Sequence, residues 1–215
     1  MSSPDYSLYL ILDPQLTPNR PLAELAKEAI KGGVTMLQLR CKEAKPREFL
    51  ELAQEIKEIS APSGVPLIIN DRLDIALAAE AEGVHLGQED LPAREARRIL
   101  GPDRILGISA GCLKEAREAE RIGASYVGLG SIFPTGSKAD AGQPIGLEAI
   151  AQVSQSLRIP VVAIGGIHLG NVEEVIRKGA SGVAVISALL QAEDLREAAQ
   201  QMKKAIARGK TIALA

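Results

Sequence analysis

Eight short apolar runs recur along this chain of 215 residues, and each is followed by a stretch with the pattern of a helix. Continuous apolar runs of this length are typical of strands that are buried on both faces of a sheet. The runs are Leu8–Leu12, Met36–Leu39, Leu67–Ile69, Val84–Leu86, Ile105–Ile108, Tyr126–Leu129, Val161–Ile164 and Val183–Ile186. The clearest helical stretches are Pro21–Lys31, Arg47–Ile59, Leu113–Ile122 and Leu195–Ala207. This alternation predicts a parallel α/β fold.

Eight strand–helix units predict a single TIM (β/α)8 barrel over residues 1–215, because that number closes more naturally into a barrel than into an open sheet. The alternative is a doubly wound open sheet, which usually carries a glycine-rich turn after its first strand. Here Asp13-Pro14-Gln15 follows the first strand, without a glycine. No linker or low-complexity segment divides the chain. We expect the tail Lys210–Ala215 to be frayed.

The composition argues against several kinds of partner. A formal net charge of −2 and the absence of Trp argue against nucleic acid and anionic membrane surfaces. No apolar run approaches the about 20 residues of a membrane-spanning helix, and residues 1–6 lack the features of a signal peptide. The two cysteines form neither a disulfide framework nor a metal-ligand spacing. We therefore expect a cytoplasmic, soluble protein that binds neither nucleic acid nor membranes.

Polar clusters follow the apolar runs, and in a barrel all of these strand ends lie at the face that carries the active site. Gln38, Arg40 and Lys42 alternate, so they point to one side of the second strand, with Leu39 and Cys41 on the other. Two inward cations predict a phosphate or diphosphate clamp. The alternative is a salt bridge to a helix carboxylate at the strand exit. Two flanking cations would also lower the pKa of Cys41.

Two carboxylates follow neighbouring strands. Asp71 comes after the third run and Asp90 after the fourth. Adjacent strands lie about 4.8 Å apart, so the two groups can share one cation. Oxygen ligands that leave room for phosphate oxygens favour Mg²⁺. The alternative is that Asp71 caps a helix beginning at Arg72, and that Asp90 caps the helix after it.

Phosphate sites of such barrels are usually built from the loops after strands seven and eight. Gly165-Gly166 follows the seventh run, and Ser187–Leu190 is predicted to be a short extra helix after the eighth. The alternative is a pair of turn glycines and a capping serine. Within the long loop Ser131–Pro144, the segment Thr135–Lys138 suits a second phosphate or a closing lid, or is simply solvated.

Other polar residues carry less information. Ser109 ends the fifth strand and could donate to a leaving-group oxygen or cap the next helix. His85 lies inside a strand, where packing is the expected role, and His168 follows the glycine turn. The sequence gives no role to Asp13 at the end of the first strand. No Ser–His–Asp or Cys–His arrangement is apparent, which argues against covalent hydrolysis.

Taken together and in this order, the clusters resemble the motifs of the thiamine-phosphate synthase family, from Leu8 to about Ala207. The matching segments are Gln38–Lys42, Asn70–Arg72, His85–Asp90, Gly128–Thr135, Ala163–Ile167 and Val185–Ala188. The resemblance implies a TIM-barrel transferase that joins 4-amino-2-methyl-5-(diphosphomethyl)pyrimidine to a thiazole phosphate, or its carboxylated form, and releases diphosphate.

The resemblance also implies roles for individual residues. The pyrimidine diphosphate would be held by Gln38, Leu39, Arg40, Cys41, Lys42, Asn70, Ser109 and Lys138. The thiazole phosphate would be held by Thr135, Gly136, Ser137, Gly166, Ile186 and Ser187. Asp71 and Asp90 would bind Mg²⁺. Charge growing on the diphosphate as it leaves would be stabilised by Arg40, Lys42, Ser109 and Lys138, in a dissociative step that needs no strong base.

Three positions depart from the family pattern. Ser137 stands where Thr is more frequent, and Ser131 where Pro is frequent. Gly111 stands where many relatives have a histidine, which in the related thiazole tautomerases is the acid and base of the reaction. The alternatives are therefore a tautomerase-like isomerase and a non-catalytic thiazole-phosphate-binding protein. The missing histidine argues against the first, and the two acids and Lys138 argue against the second.

Overall fold

Eight parallel strands form a closed barrel in the order in which they occur along the chain. The structure is a computed structural model that describes residues 4–136 and 142–213. The strands are β1 Leu8–Leu12, β2 Met36–Leu39, β3 Leu67–Asn70, β4 Gly83–Leu86, β5 Ile105–Ala110, β6 Tyr126–Leu129, β7 Val161–Ile164 and β8 Gly182–Val185. The barrel closes where β1 pairs with β8, Leu8 lying opposite Val183. The predicted TIM barrel is confirmed, and the open-sheet alternative is wrong.

Helices follow the strands and surround the barrel. They are α1 Leu22–Lys31, α2 Pro46–Ser60, α3 Leu73–Ala78, α4 Ala93–Leu100, α5 Leu113–Ile122, α6 Leu147–Ser154, α7 Val172–Arg177, α8 Ser187–Leu190 and α9 Leu195–Ala213. Short 3-10 turns cover Pro14–Leu16 and Ala61–Ser63. The short helix predicted after the eighth strand is present as α8. Within residues 4–136 and 142–213, no helix is both long enough and apolar enough to cross a membrane.

The helices bury the faces that their sequence pattern predicts. In α1, Leu22, Leu25, Ala26 and Ala29 are buried against the barrel, whereas Glu24 is exposed. A stripe of apolar residues at helical spacing can be removed from water only on one side, so it orients the helix on the sheet. The strands themselves are buried almost throughout, which explains why they appear in the sequence as continuous apolar runs.

The chain's last helix is longer than expected. Residues predicted to fray, from Lys210 to Ala213, belong to α9. Lys210 Nζ donates a hydrogen bond to Ser7 Oγ at 2.6 Å, next to the start of β1. This contact ties Lys210 to the start of the barrel. Fraying of the tail Lys210–Ala215 stays a prediction.

Two glycines inside the barrel make room for large side chains. A Cβ atom on Gly107 of β5 would lie 2.2 Å from Cζ of Tyr126 and 2.6 Å from Nδ1 of His85. A Cβ atom on Gly128 of β6 would lie 2.9 Å from Cε1 of His85. Any side chain at these positions would displace the two rings. The glycines therefore allow an aromatic residue and an imidazole to occupy the barrel interior.

Candidate active site

One cavity of about 1200 Å³ opens at the carboxyl ends of the strands. Eleven of the predicted site residues line it: Arg40, Lys42, Asn70, Asp71, Asp90, Ser109, Thr135, Gly136, Gly166, Ile186 and Ser187. They come from the ends of six strands and from the loop after β6. The described cavity wall does not include Gln38, Leu39 or Cys41. Ser137 and Lys138 lie outside the described residues.

The inward cations of the second strand end differ in their surroundings. Arg40 is buried, and its Nη1 donates to Oδ2 of Asp13 at 2.5 Å. Asp13 directly follows β1, and its other carboxylate oxygen accepts from the Gln15 N–H at 3.0 Å. Lys42 is exposed at the rim. Arg40 therefore lines the cavity and also forms an ion pair. The alternative interpretation predicted such a pair with a helix carboxylate, whereas the partner follows a strand.

The outward residues of this segment face the helical layer. Leu39 is fully buried, and Cys41 is 7% exposed. Burial, followed by the negative charge of Asp13, raises the pKa of the Cys41 thiol to about 12, against the lowering effect of Arg40. The expected lowering of this pKa is therefore wrong. The two flanking cations do not bring the thiol pKa below its ordinary value, because Arg40 is already paired with Asp13 and the thiol itself is desolvated.

We expect one of the two cysteines to resist modification in the folded protein. Cys112 is exposed and Cys41 is buried with a raised pKa, and only the thiolate is nucleophilic. At neutral pH a thiol reagent such as 5,5′-dithiobis(2-nitrobenzoate) should label one cysteine rapidly and the second only after unfolding in guanidinium chloride. A Cys112→Ser variant should give almost no fast reaction. Rapid labelling of both thiols in the native protein would contradict the burial of Cys41.

Asp71, one of the two predicted metal-binding acids, is positioned by its backbone. Asp71 has a left-handed backbone conformation, with φ of 64°, and its N–H donates to the carbonyl of His85 on β4 at 2.8 Å. Helix α3 begins at Leu73, with Arg72 rather than Asp71 at its cap position. The alternative role of Asp71 as a cap is therefore wrong, and this carboxylate belongs to the cavity wall.

Asp90 is positioned by its own loop. Its Oδ2 accepts a hydrogen bond from the Gly87 N–H at 2.6 Å, which fixes the carboxylate across the turn after β4. Helix α4 begins at Ala93 with Pro92 at its cap position, so a capping role for Asp90 is also wrong. Within the described ranges, 4–136 and 142–213, no cluster of three or more His, Cys, Asp or Glu residues could hold a metal.

The turn after β7 depends on two adjacent glycines. Gly165 and Gly166 have φ of 100° and 64°, values that residues other than glycine rarely adopt. A Cβ atom on Gly166 would lie 2.6 Å from the carbonyl oxygen of Pro134. The turn therefore packs directly on the segment that leads to Thr135, bringing two of the predicted phosphate-binding segments together.

Asn171 reinforces the same turn. Its Nδ2 donates to the carbonyl of Gly166 at 2.9 Å, and its Oδ1 accepts from the His168 N–H at 2.8 Å. Although Asn171 occupies the cap position of α7, its side chain makes no capping bond to that helix. Nδ1 of His168 accepts from the Gly170 N–H at 3.1 Å, so this histidine also supports the loop. Both side chains therefore stabilise the loop between β7 and α7.

His85 is buried but does more than pack. Its Nδ1 lies 2.9 Å from the Tyr126 hydroxyl, and its Nε2 lies 2.9 Å from Oγ of Ser109. Both His85 and Ser109 line the cavity. The sequence patterns give no role to Asp13 or Tyr126, and they predict that His85 packs in the core. The position of Asp13 after a strand was the available signal, whereas an apolar run gives no sign of an inward-facing tyrosine.

Active sites of TIM-barrel enzymes lie at this face of the barrel, and the fold and the cavity place the protein in that class. The model of the family "Thiamine monophosphate synthase" matches residues 8–189. A thiamine-phosphate synthase of Moorella thermoacetica is 50% identical over 207 residues, which cover 96% of this chain and 99% of the relative. One of Clostridium novyi is 49% identical, covering 92% and 97%.

A solved structure agrees with these sequence matches. Thiamine phosphate pyrophosphorylase from Pyrococcus furiosus superposes with a TM-score of 0.89 at 41% identity, covering 97% of this chain and 98% of the other. The chain belongs to the thiamine monophosphate synthase family, and it is a transferase of thiamine biosynthesis. The family expected from the sequence motifs is thus confirmed.

Proposed function

We propose that the cavity binds a pyrimidine methyl diphosphate and a thiazole phosphate side by side and joins them with release of diphosphate. The observation that supports this proposal is that members of both predicted substrate-binding sets line one continuous cavity. A binding protein for one small phosphate would need only one of them. A cytoplasmic location stays a prediction from the sequence.

The diphosphate half would be formed by the ends of β2, β3 and β5. Arg40 offers a planar fork of N–H donors, and Lys42 a point charge at the rim. Asn70, which is 6% exposed, and half-buried Ser109 line the same part of the cavity wall. Lys138 would complete this set from the loop after β6. Charged donors around a leaving group stabilise the negative charge that develops as its bond breaks.

The described carboxylates are suited to Mg²⁺. Asp71 and Asp90 both line the cavity, and Asp90 keeps one oxygen that is not used by the Gly87 N–H. Mg²⁺ is usually held by one or two carboxylates, with water and substrate phosphate oxygens completing its shell. Within residues 4–136 and 142–213, no group of three such ligands is present, and a pair of acids fits this pattern. When bound, the ion would neutralise charge on the departing diphosphate.

The thiazole phosphate half would lie where the turn after β7 meets α8. Gly166, Ile186 and Ser187 line the cavity, as do Thr135 and Gly136. The absence of a side chain at Gly166 lets the backbone approach an anion closely. Ser137 would add a second hydroxyl from the same loop.

In the proposed reaction the bond between the pyrimidine methylene carbon and the diphosphate oxygen breaks first. The aminopyrimidine delocalises the positive charge left on the methylene, and the diphosphate keeps the electron pair. A bond then forms from the thiazole nitrogen to this carbon. Arg40, Lys42 and Lys138 would hold the diphosphate, and the loop Ser131–Pro144 would keep water away from the cation. No residue has to remove a proton.

The direct test is diphosphate release by the purified protein. With both substrates and Mg²⁺, we expect release of one diphosphate for each thiamine phosphate formed, and with either substrate alone only a small background. Excess EDTA should abolish the activity, and added Mg²⁺ should restore it. Saturating substrates without diphosphate release would overturn the proposal and favour a thiazole phosphate isomerase or binder. Activity that EDTA leaves intact would overturn the metal alone.

A further inference from the structure

A hydrogen-bonded network of five side chains runs through the interior of the barrel and ends at the cavity. Gln38 Nε2 donates to the Tyr9 hydroxyl at 2.7 Å, and the hydroxyl oxygens of Tyr9 and Tyr126 lie 3.0 Å apart. The Tyr126 hydroxyl lies 2.9 Å from Nδ1 of His85, whose Nε2 lies 2.9 Å from Ser109 Oγ. We call these five side chains the interior network.

The inner members of the interior network are shielded from water. Gln38, Tyr9 and Tyr126 are 2%, 1% and 0% exposed. Burial raises the pKa of both tyrosines well above its ordinary value, so both phenols keep their protons. Each phenol then has one proton to donate, and a buried donor without an acceptor is costly. The direction of each hydrogen bond is therefore constrained by its neighbours.

The direction can be followed from Gln38 outward. The Tyr9 oxygen accepts from the amide of Gln38, so Tyr9 directs its own proton to Tyr126. The Tyr126 oxygen is thereby an acceptor, and its proton goes to Nδ1 of His85. A neutral imidazole that accepts at Nδ1 carries its proton on Nε2. That proton faces Ser109 Oγ, which accepts it and retains its own hydrogen for another acceptor.

We infer that the interior network holds His85 as the neutral Nε2–H tautomer and thereby makes the Ser109 hydroxyl a hydrogen-bond donor toward the cavity. Gln38, Tyr9, Tyr126 and His85 are positioning residues that act through Ser109. If the amide of Gln38 were turned over, every bond would reverse, and Ser109 would spend its proton on His85. A donor suits an anionic ligand, a consequence that rests on the proposed place of Ser109 in the diphosphate half.

The tautomer can be measured directly, without substrate. The chain has only two histidines, so long-range ¹H–¹⁵N spectra of the ¹⁵N-labelled protein at neutral pH resolve both rings, and a His168→Gln variant assigns them. We expect the Nε2–H pattern for His85. In Tyr126→Phe, which removes the donor to Nδ1, we expect a mixture of tautomers. A matched control is Tyr6→Phe, because the Tyr6 ring packs on Tyr126 at 5.0 Å but is not part of the network.

An Nδ1–H pattern in the unmodified protein, or no change in Tyr126→Phe, would overturn the inference. Kinetics then test the link to Ser109. We expect Tyr126→Phe to lower kcat about tenfold in the unmodified protein and less than about twofold in a Ser109→Ala background, because contacting residues in one network are not additive. Equal losses in both backgrounds would overturn an action through Ser109. Failure of the proposed reaction itself would appear separately, as an inactive unmodified protein with the expected tautomer.

Discussion

We expect Asp71→Asn to lower the rate of diphosphate release by about 10²- to 10³-fold, the loss that follows when one preorganised charge-stabilising group is removed. Asparagine has nearly the same shape as aspartate and tolerates the left-handed conformation at this position, where φ is 64°. The change therefore removes the charge without straining the turn. Alanine would remove the charge and also strain the turn, so its effect could not be assigned to the charge alone. Steady-state kinetics over a range of Mg²⁺ concentrations should show a raised Mg²⁺ requirement.

Asp74→Asn is the matched control for this change. Asp74 lies three positions further along, is 64% exposed, and pairs with Arg72 at 2.5 Å. We expect its loss to leave the rate within about twofold, because exposed ion pairs contribute little. The rate for Ser187→Ala should fall between the rates of these two variants, since the backbone of the turn after β7 would also hold the phosphate at the proposed site. Equal rates for Asp71→Asn and Asp74→Asn would remove Asp71 from the proposed metal site.

Asp13→Ala should destabilise the fold by about 3–5 kcal/mol, because it leaves the charge of Arg40 buried without its partner. Both side chains are less than one-tenth exposed, at 7% for Arg40 and 3% for Asp13. Urea unfolding followed by circular dichroism measures the free energy of unfolding. The diphosphate should also bind less tightly, since the ion pair fixes the direction of the guanidinium.

Two further variants separate charge from packing in that experiment. Asp13→Leu combined with Arg40→Met removes both charges, and we expect it to recover much of the lost stability but none of the activity. Glu28→Ala breaks the exposed pair with Lys31, and we expect a change below about 1 kcal/mol. If Asp13→Ala lowered the free energy of unfolding no more than Glu28→Ala, the buried pair would not contribute to the stability of the fold.

The rim of the barrel was predictable because two general rules cover it. Apolar runs locate the strands, and parallel strands in a barrel bring their carboxyl ends to one face, so Arg40, Asp71 and Ser187 could be placed together without coordinates. The Asp13–Arg40 pair was within reach of the same reasoning, since Leu12 lies opposite Leu39 in the register of β1 and β2. The predicted partner was a carboxylate on a helix, whereas Asp13 directly follows a strand.

The interior of the barrel was beyond such rules. Tyr9 and Tyr126 are separated by 117 positions, and their contact depends on the stagger between strands and on the space left by Gly107. Nothing in either local sequence distinguishes a tyrosine that faces inward from one that packs under a helix. The predicted pKa of the Cys41 thiol was wrong for a related reason. Desolvation depends on the whole packed layer and cannot be inferred from neighbouring charges in the sequence.

The ion pair between Asp13 and Arg40 has a consequence for turnover. A deeply set guanidinium without a counter-charge would bind any available anion tightly and would give up a product slowly. Because Arg40 is already matched by Asp13, its guanidinium is not left as an isolated buried charge between catalytic cycles. In the proposed reaction, an arriving diphosphate would meet N–H donors held in a fixed direction, and a departing one would leave behind a neutral pair. The arrangement favours an enzyme that can release its product as readily as it binds its substrate.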